Sequence, residues 1–241
     1  MKHILRTLMI ALCLSGTAGM ADENVPTPEL HRLGMTLYSE KCSICHGPNG
    51  EGDDSLSGEF SPKPRNFVQG TFRFSSTELG DPPSRLDIMR VIENGIEGSY
   101  GRSMPAFDDL TLSERLALAE VVRQFADLDE YGTPFAIPPR PDTIIFEDAL
   151  ELFSNLECAG CHGDDGDGNG LLAESLEDVN GEPIKPATFQ TGKFKGGNSA
   201  EEIFLRIYRG INGTPMPSFG QNVPIADIWA VAEIVIALGT N

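Results

Sequence analysis

Cys42-Ser-Ile-Cys-His46-Gly47 and Cys158-Ala-Gly-Cys-His162-Gly163 are two copies of one short pattern, and what surrounds each copy decides the fold. Upstream, Gly34-Met-Thr-Leu-Tyr38 answers Ala149-Leu-Glu-Leu-Phe153. Downstream, Pro64-Arg-Asn-Phe67 with Gly70 and Phe72 answers Pro186-Ala-Thr-Phe189 with Gly192 and Phe194. Gly95-Ile96 and Met104-Pro-Ala-Phe107 answer Gly210-Ile211 and Met216-Pro-Ser-Phe219, and Ala119-Glu-Val-Val122 answers Ala232-Glu-Ile-Val235. Matches kept in one order along the chain make a tandem repeat, so two like domains are expected.

Between the repeats, the segment from Tyr131 to Pro141 carries Pro134, Pro138, Pro139 and Pro141, which forbids helix and favours an extended, stiff connector. The domains are therefore expected at 22–128 and 143–241, joined by a linker at 129–142. Three main helices are expected in each. The first runs into the Cys pair, the second covers 84–94 or 200–209, and the third covers 112–128 or 225–238. Leu112, Leu116, Ala119, Val122 and Ala126 recur at helical spacing, with Ser113 and Glu114 at the solvated start. Strand signals are nearly absent, so the fold is read as all-α with long loops.

Residues 1–21 read as a cleaved leader: Lys2 and Arg6 precede an apolar run from Leu8 to Leu14, and small residues lead up to Ala21. That run is shorter than the ~20 residues a membrane span needs. Cys13 lies inside it and leaves with it. The stretch from Ile225 to Leu238 is interrupted by Asp227 and Glu233, so no stable membrane anchor is expected. An exported, periplasmic protein follows. Its four remaining Cys all lie in C-x-x-C-H motifs, which leaves no thiol for a disulfide.

Two thiols one short turn apart suit thioether bonds to the two vinyl groups of a haem, with the adjacent His beneath the iron. A redox dithiol or half a zinc site uses the same spacing, but two instances in register on an exported chain weigh against both. A distal ligand is then needed. Beyond the leader the His residues are His31, His46 and His162, too few for two bis-His haems. Met104 and Met216 stand at matching positions, each before Pro in a Gly-rich loop. Met89 matches Phe204 and Met35 matches Leu150, which reads as core. A neutral thioether favours ferrous iron and raises the potential relative to His.

With these residues in view, both halves resemble class I c-type cytochromes. In that family the first helix crosses the last through a small residue and an aromatic, here Gly34 with Tyr38 and Ala149 with Phe153. The resemblance covers nearly all of the chain after the leader. It implies two tandem class I cytochrome c domains, each about three main helices with long loops wrapped around a covalent haem. It also implies two haem c groups held by Cys42 and Cys45 and by Cys158 and Cys161, with His46 and Met104 on one iron and His162 and Met216 on the other. The chain departs from the shortest family members by long stretches after each haem motif, and by three extra residues in Tyr100-Gly-Arg-Ser before Met104.

Formal charge is −18, which repels nucleic acid and anionic lipid and favours basic-surfaced redox donors and acceptors, a dehydrogenase or a terminal oxidase or reductase among them. The densest acidic block runs from Glu157 through Asp164, Asp165, Asp167, Glu174, Glu177 and Asp178 to Glu182. It reads either as a solvated loop or as a steering surface near the second haem. Asp165-Gly-Asp-Gly-Asn-Gly170 imitates half a calcium loop, but Leu176 stands where its bidentate Glu belongs. Arg65, Arg73, Lys185 and Lys193 point either to haem propionates or to solvent. The leading expectation is a di-haem electron carrier and not an enzyme, since two six-coordinate haems leave no open position. A cytochrome subunit of an exported dehydrogenase complex is the alternative. A di-haem peroxidase would need an iron able to open, and a thiosulfate-oxidising type would prefer a Cys ligand.

Overall fold

The computed structural model describes residues 27–60, 63–96 and 104–239; the leader and the Tyr100 to Ser103 insertion lie outside the described residues. Two similar helical sets follow one another along the chain. The first comprises α1 (Pro28–Lys41), the short α2 (Ser43–His46), α3 (Arg85–Asn94) and α4 (Leu112–Phe125). The second repeats this as α5 (Phe146–Asn155), α6 (Cys158–His162), α7 (Ala200–Arg209) and α8 (Ile225–Leu238). The described residues contain no strand, only an isolated bridge between Glu177 and Pro183.

Local chemistry explains where these helices start. Pro28 opens α1 behind Thr27, whose hydroxyl accepts from the Leu30 N–H. Reciprocal capping boxes start α3 (Ser84 with Asp87), α4 (Thr111 with Glu114) and α7 (Ser199 with Glu202). The third helix of the first set ends three residues before the sequence pattern suggested. Asp127 sits at φ 50, outside helical space, and the Leu128 N–H turns back to Arg123 O at 3.2 Å. The periodic apolar residues therefore outlast the helix itself.

In each set the first helix packs on the last, and the middle helix packs on the last as well. At the first crossing the backbones nearly touch. A Cβ on Gly34 would stand 2.4 Å from Ala117 O and 2.8 Å from Val121 Cγ2. Ala149, fully buried, takes the same place against α8. Trp229 of α8 fills the second core, stacked on Phe204 at 4.4 Å. Met89 is core, as its helical position implied.

The Pro-rich segment is extended, but it is strapped down rather than spanning open solvent. On the first set, Phe135 N–H donates to Ser76 O at 2.7 Å and Gly132 N–H to Pro83 O at 3.1 Å. Tyr131 O–H donates to Glu120 at 2.9 Å, a carboxylate only 2 % exposed that also pairs with Arg85 and Arg123. On the second set, Phe135 stacks on Tyr208 at 4.5 Å, Trp229 Nε1–H donates to Pro138 O at 3.2 Å, and Arg140 pairs with Glu233. Glu120 and Glu233 are repeat equivalents, so both final helices hold the connector by the same residue. Buried charge this well paired is costly to break from one side.

The Gly34 crossing predicts the sign of a substitution that helix propensity would get wrong. Gly34→Ala gains about 1 kcal/mol of propensity, whereas forcing a methyl group into a packed backbone contact costs about 1–3 kcal/mol. The obstacle is a backbone oxygen, so the second effect wins and the guanidinium unfolding midpoint should fall. A higher midpoint would mean that the helices do not cross this closely.

Candidate functional site

Each Cys pair sits on a short turn of helix that ends in its His. Cys42 closes α1 by donating its N–H to Tyr38 O, and α2 starts at once. Before α6, Glu157 takes a left-handed conformation at φ 58 to redirect the chain. After each His, Gly47 and Gly163 turn the backbone at φ 77 and 79, where a side chain would be strained. The Tyr38 hydroxyl donates to Gly47 O at 2.8 Å, and its ring meets Phe125 edge-on at 4.9 Å.

Both imidazoles are oriented by the same two contacts. His46 Nδ1 lies 2.9 Å from Arg65 O and the ring stacks on Phe67 at 4.5 Å. His162 Nδ1 lies 3.1 Å from Ala187 O and the ring stacks on Phe189 at 4.6 Å. A carbonyl only accepts, so Nδ1 carries the proton and donates. Nε2 is left with a lone pair, the form an iron ligand requires. Burial lowers the pKa of both rings, partly opposed by those hydrogen bonds, which favours the neutral imidazole.

The loops that carry the two carbonyls are also in register. Gly52 and Gly168 N–H donate to His46 O and His162 O, each at 2.8 Å. Phe67 and Phe189 N–H return to Gly50 O and Gly166 O. The segment from Asp165 to Gly170 is thus the second copy of a turn that the first domain builds from Asn49-Gly-Glu-Gly-Asp-Asp54. Within it the Asp167 carboxylate accepts from Asn169 N and Nδ2 at 2.9 and 3.1 Å.

Burial pushes Cys42 up to about 11, with Lys41 opposing and Cys45 adding, and burial pushes Cys158 up to about 11 as well. The attacking thiol of a redox C-x-x-C pair needs the opposite shift. Thioether attachment does not need a thiolate to persist.

A cavity of about 210 Å³ brings Cys42, Cys45, His46 and Met104 together. Its walls are mainly apolar, with Phe67, Phe72, Ile88, Ile92, Phe107 and Val122 among them. Two thiols, a neutral imidazole and a thioether around one apolar slot are the donor set and lining that fit a haem. The Met loops are clamped from behind: Ile96 N–H donates to Met104 O at 3.0 Å and Ile211 N–H to Met216 O at 3.2 Å. Gly95 and Gly210, at φ 64 and 73, lie so close that a Cβ would meet those same carbonyls at 2.6 and 2.8 Å. Met216, Cys158, Phe194 and Phe219 border the second core.

Five cations also line the first cavity: Lys41, Lys63, Arg65, Arg73 and, from the second domain, Lys195. Burial pulls Arg65 down to about 10, with Arg73 adding and Asp178 opposing. Lys185 instead reaches Glu174 at 2.8 Å. Lys195 was missed in the sequence reading, although the register held the signal, because Phe194-Lys195 answers Phe72-Arg73. The acidic block is corrected in part. Asp178 pairs with Arg73 at 2.6 Å and Glu182 with Lys63 at 2.7 Å, so two of its carboxylates meet a basic face of the same chain. Arg90 with Glu202 adds a third such pair at 2.9 Å.

This fold and site define a tandem c-type cytochrome. The chain belongs to the family described as cytochrome c oxidase, cbb3-type, subunit III, whose model matches residues 29–120 and again 146–233. It is 28% identical over 159 residues to the cbb3-type cytochrome c oxidase subunit CcoP of Helicobacter pylori, spanning 64% of this chain and 45% of that protein. The same subunit from strain 52 is 27% identical over 148 residues, 61% of this chain and 41% of its own length. The chain therefore spans less than half of these curated relatives. A chain of the Kuenenia stuttgartiensis reducing HAO-like protein complex Kustc0457/Kustc0458 is 38% identical with a TM-score of 0.79, covering 86% of this chain and 95% of its own. The family carries covalent haem c and transfers electrons. Among the described residues no helix is long and apolar enough to cross a membrane.

The Tyr38 hydroxyl gives a test of how the first His turn is held. Phe153 occupies the same place in the second domain, so Tyr38→Phe fits sterically and removes only the hydrogen bond to buried Gly47 O. A loss of about 1–2 kcal/mol is expected in guanidinium unfolding of the haem-loaded protein, the scale of one buried hydrogen bond. No change would show that this bond contributes nothing to the turn.

Proposed function

We propose that the chain is an exported di-haem electron-transfer protein that passes single electrons through two His/Met-ligated c-type haems and works as the cytochrome subunit of a larger redox assembly. Its leader is residues 1–21, its domains are 22–128 and 143–241, and its linker is 129–142. Cys42, Cys45, His46 and Met104 would hold one haem. Cys158, Cys161, His162 and Met216 would hold the other. One observation carries this reading: in both halves the His after C-x-x-C commits Nδ1 to a backbone carbonyl and frees Nε2.

Haem supplies the one-electron couple. The chain's own residues fix the imidazoles, line the first cavity with apolar side chains and clamp the Met loops, so that electron exchange would need little rearrangement. With a His and a Met committed to each haem, no further ligand position would be offered to a substrate, and electron transfer is the reading proposed. The assembly is supported by the relatives, which are a subunit of an oxidase and a chain of a protein complex. Size measured after purification from the native host, before and after a salt wash, distinguishes a bound subunit from a free carrier.

The ligands are tested by spectroscopy. The oxidised protein should show the weak near-infrared absorption of a Met sulfur bound to ferric iron. Met104→Ala and Met216→Ala should each remove about half of it, one of two equal Met–iron bonds. If both variants keep the whole band, the distal assignment is wrong.

A further inference from the structure

We propose that Lys195 of the second domain belongs to the haem site of the first, where it holds the haem propionates together with Arg65 and Arg73. This rests on the haem reading above. Five cations line the first cavity: Lys41, Lys63, Arg65, Arg73 and Lys195. Lys41 adjoins Cys42, at the edge where the vinyl groups attach. Lys63 is engaged by Glu182 at 2.7 Å. The other three crowd one another, since Arg65 and Lys195 both feel the charge of Arg73.

Of the described carboxylates nearby, Asp178 is paired with Arg73 Nη2 at 2.6 Å and is 7% exposed, while Asp87, which also lines the cavity, is taken up by Ser76, Ser84 and Arg90. Arg73 Nε is buried and finds no hydrogen-bond partner among the described residues. Three cations drawn from water with one carboxylate paired to them are unfavourable unless further anions join them. A haem attached at Cys42 and Cys45 brings two carboxylates, on the edge away from its vinyl groups. Charge-assisted hydrogen bonds to them would balance the cluster.

Lys195 is held in place rather than free to wander. Its turn is closed by Phe194 N–H donating to Asn198 Oδ1 at 2.8 Å and by Gly197 N–H donating to Phe194 O at 3.2 Å. Half-buried Arg206 donates to Gly197 O at 2.6 Å. The turn presses on the first domain through Gly196, at φ 85, where a Cβ would stand 2.5 Å from the Phe74 ring. In repeat register Lys195 is the second domain's copy of Arg73, while Ala187 replaces Arg65. One repeat thus supplies its cation to the other's cofactor, and the potential of the first haem depends on the second domain.

A positive charge at the propionates favours the ferrous state, so removing it lowers the potential. The experiment is a spectroelectrochemical titration of the haem-loaded protein in a Met216→His background, which moves the second haem to lower potential and leaves the first resolved. Lys195→Gln should lower the reduced-to-oxidised ratio of the first haem at fixed applied potential about three- to tenfold, roughly 30–60 mV at 59 mV per tenfold. Its His/Met spectrum should stay intact. Lys195→Arg should restore the ratio. Glu182→Gln breaks the nearby interdomain pair with Lys63 and should leave the ratio unchanged. An unshifted Lys195→Gln overturns the proposal, as does an equal drop in Glu182→Gln, which would mean simple loosening of the interface. A parent protein without a His/Met haem in the first domain would overturn the proposed function instead.

Discussion

Each domain depends on one hydrogen bond, from the imidazole Nδ1 of the His after C-x-x-C to a backbone carbonyl well downstream. His46 reaches Arg65 and His162 reaches Ala187, across loops of unequal length. That bond sets the tautomer, directs Nε2 into the slot and ties the loop after the haem motif to the helical frame. The stacked Phe two residues beyond each acceptor keeps the ring from rotating. The other repeated features serve this arrangement. Glycine turns bring the chain back to the His carbonyl, and the close helix crossing at Gly34 or Ala149 fixes the segment from which the Cys pair departs.

The two domains share this plan and differ in how they are used. The first presents Lys63, Arg73 and Arg90 to the second, and the second answers with Glu182, Asp178 and Glu202. Exposed pairs of this kind contribute little individually. The Arg73–Asp178 pair is different, because both side chains are largely out of water and Arg209, 2 % exposed, adds a bond to Arg73 O at 3.3 Å. The strapped connector runs between the same surfaces. An acidic chain has here used part of its charge to hold its own halves together, which leaves Asp164, Asp165 and Asp167 as the carboxylates of the haem loop.

The fold class was legible because the repeat multiplied weak signals. One C-x-x-C-H is ambiguous, but two in register, with matching Met-Pro loops and matching Phe segments, are not. The helix starts expected at 84, 112 and 200 lie within one residue of those observed, where Ser84, Thr111 and Ser199 cap with acidic partners three residues on. The end of α4 was not, since Ala126 and Leu128 continue the apolar pattern after Asp127 has left helical space. The linker's extended, stiff course was legible in its prolines, but proline content says nothing of what Phe135 or Arg140 will touch. Lys195 was only half legible for a related reason: register names its counterpart, Arg73, but not the domain whose cavity it enters.

The central claim is that each domain carries its own covalently attached haem. The most direct measurement is the mass of the intact native protein under denaturing conditions, compared with Cys42→Ala/Cys45→Ala and Cys158→Ala/Cys161→Ala variants. Two haems should remain on the parent chain and one on each variant. A parent chain that loses both on denaturation, or retains one, would contradict the account.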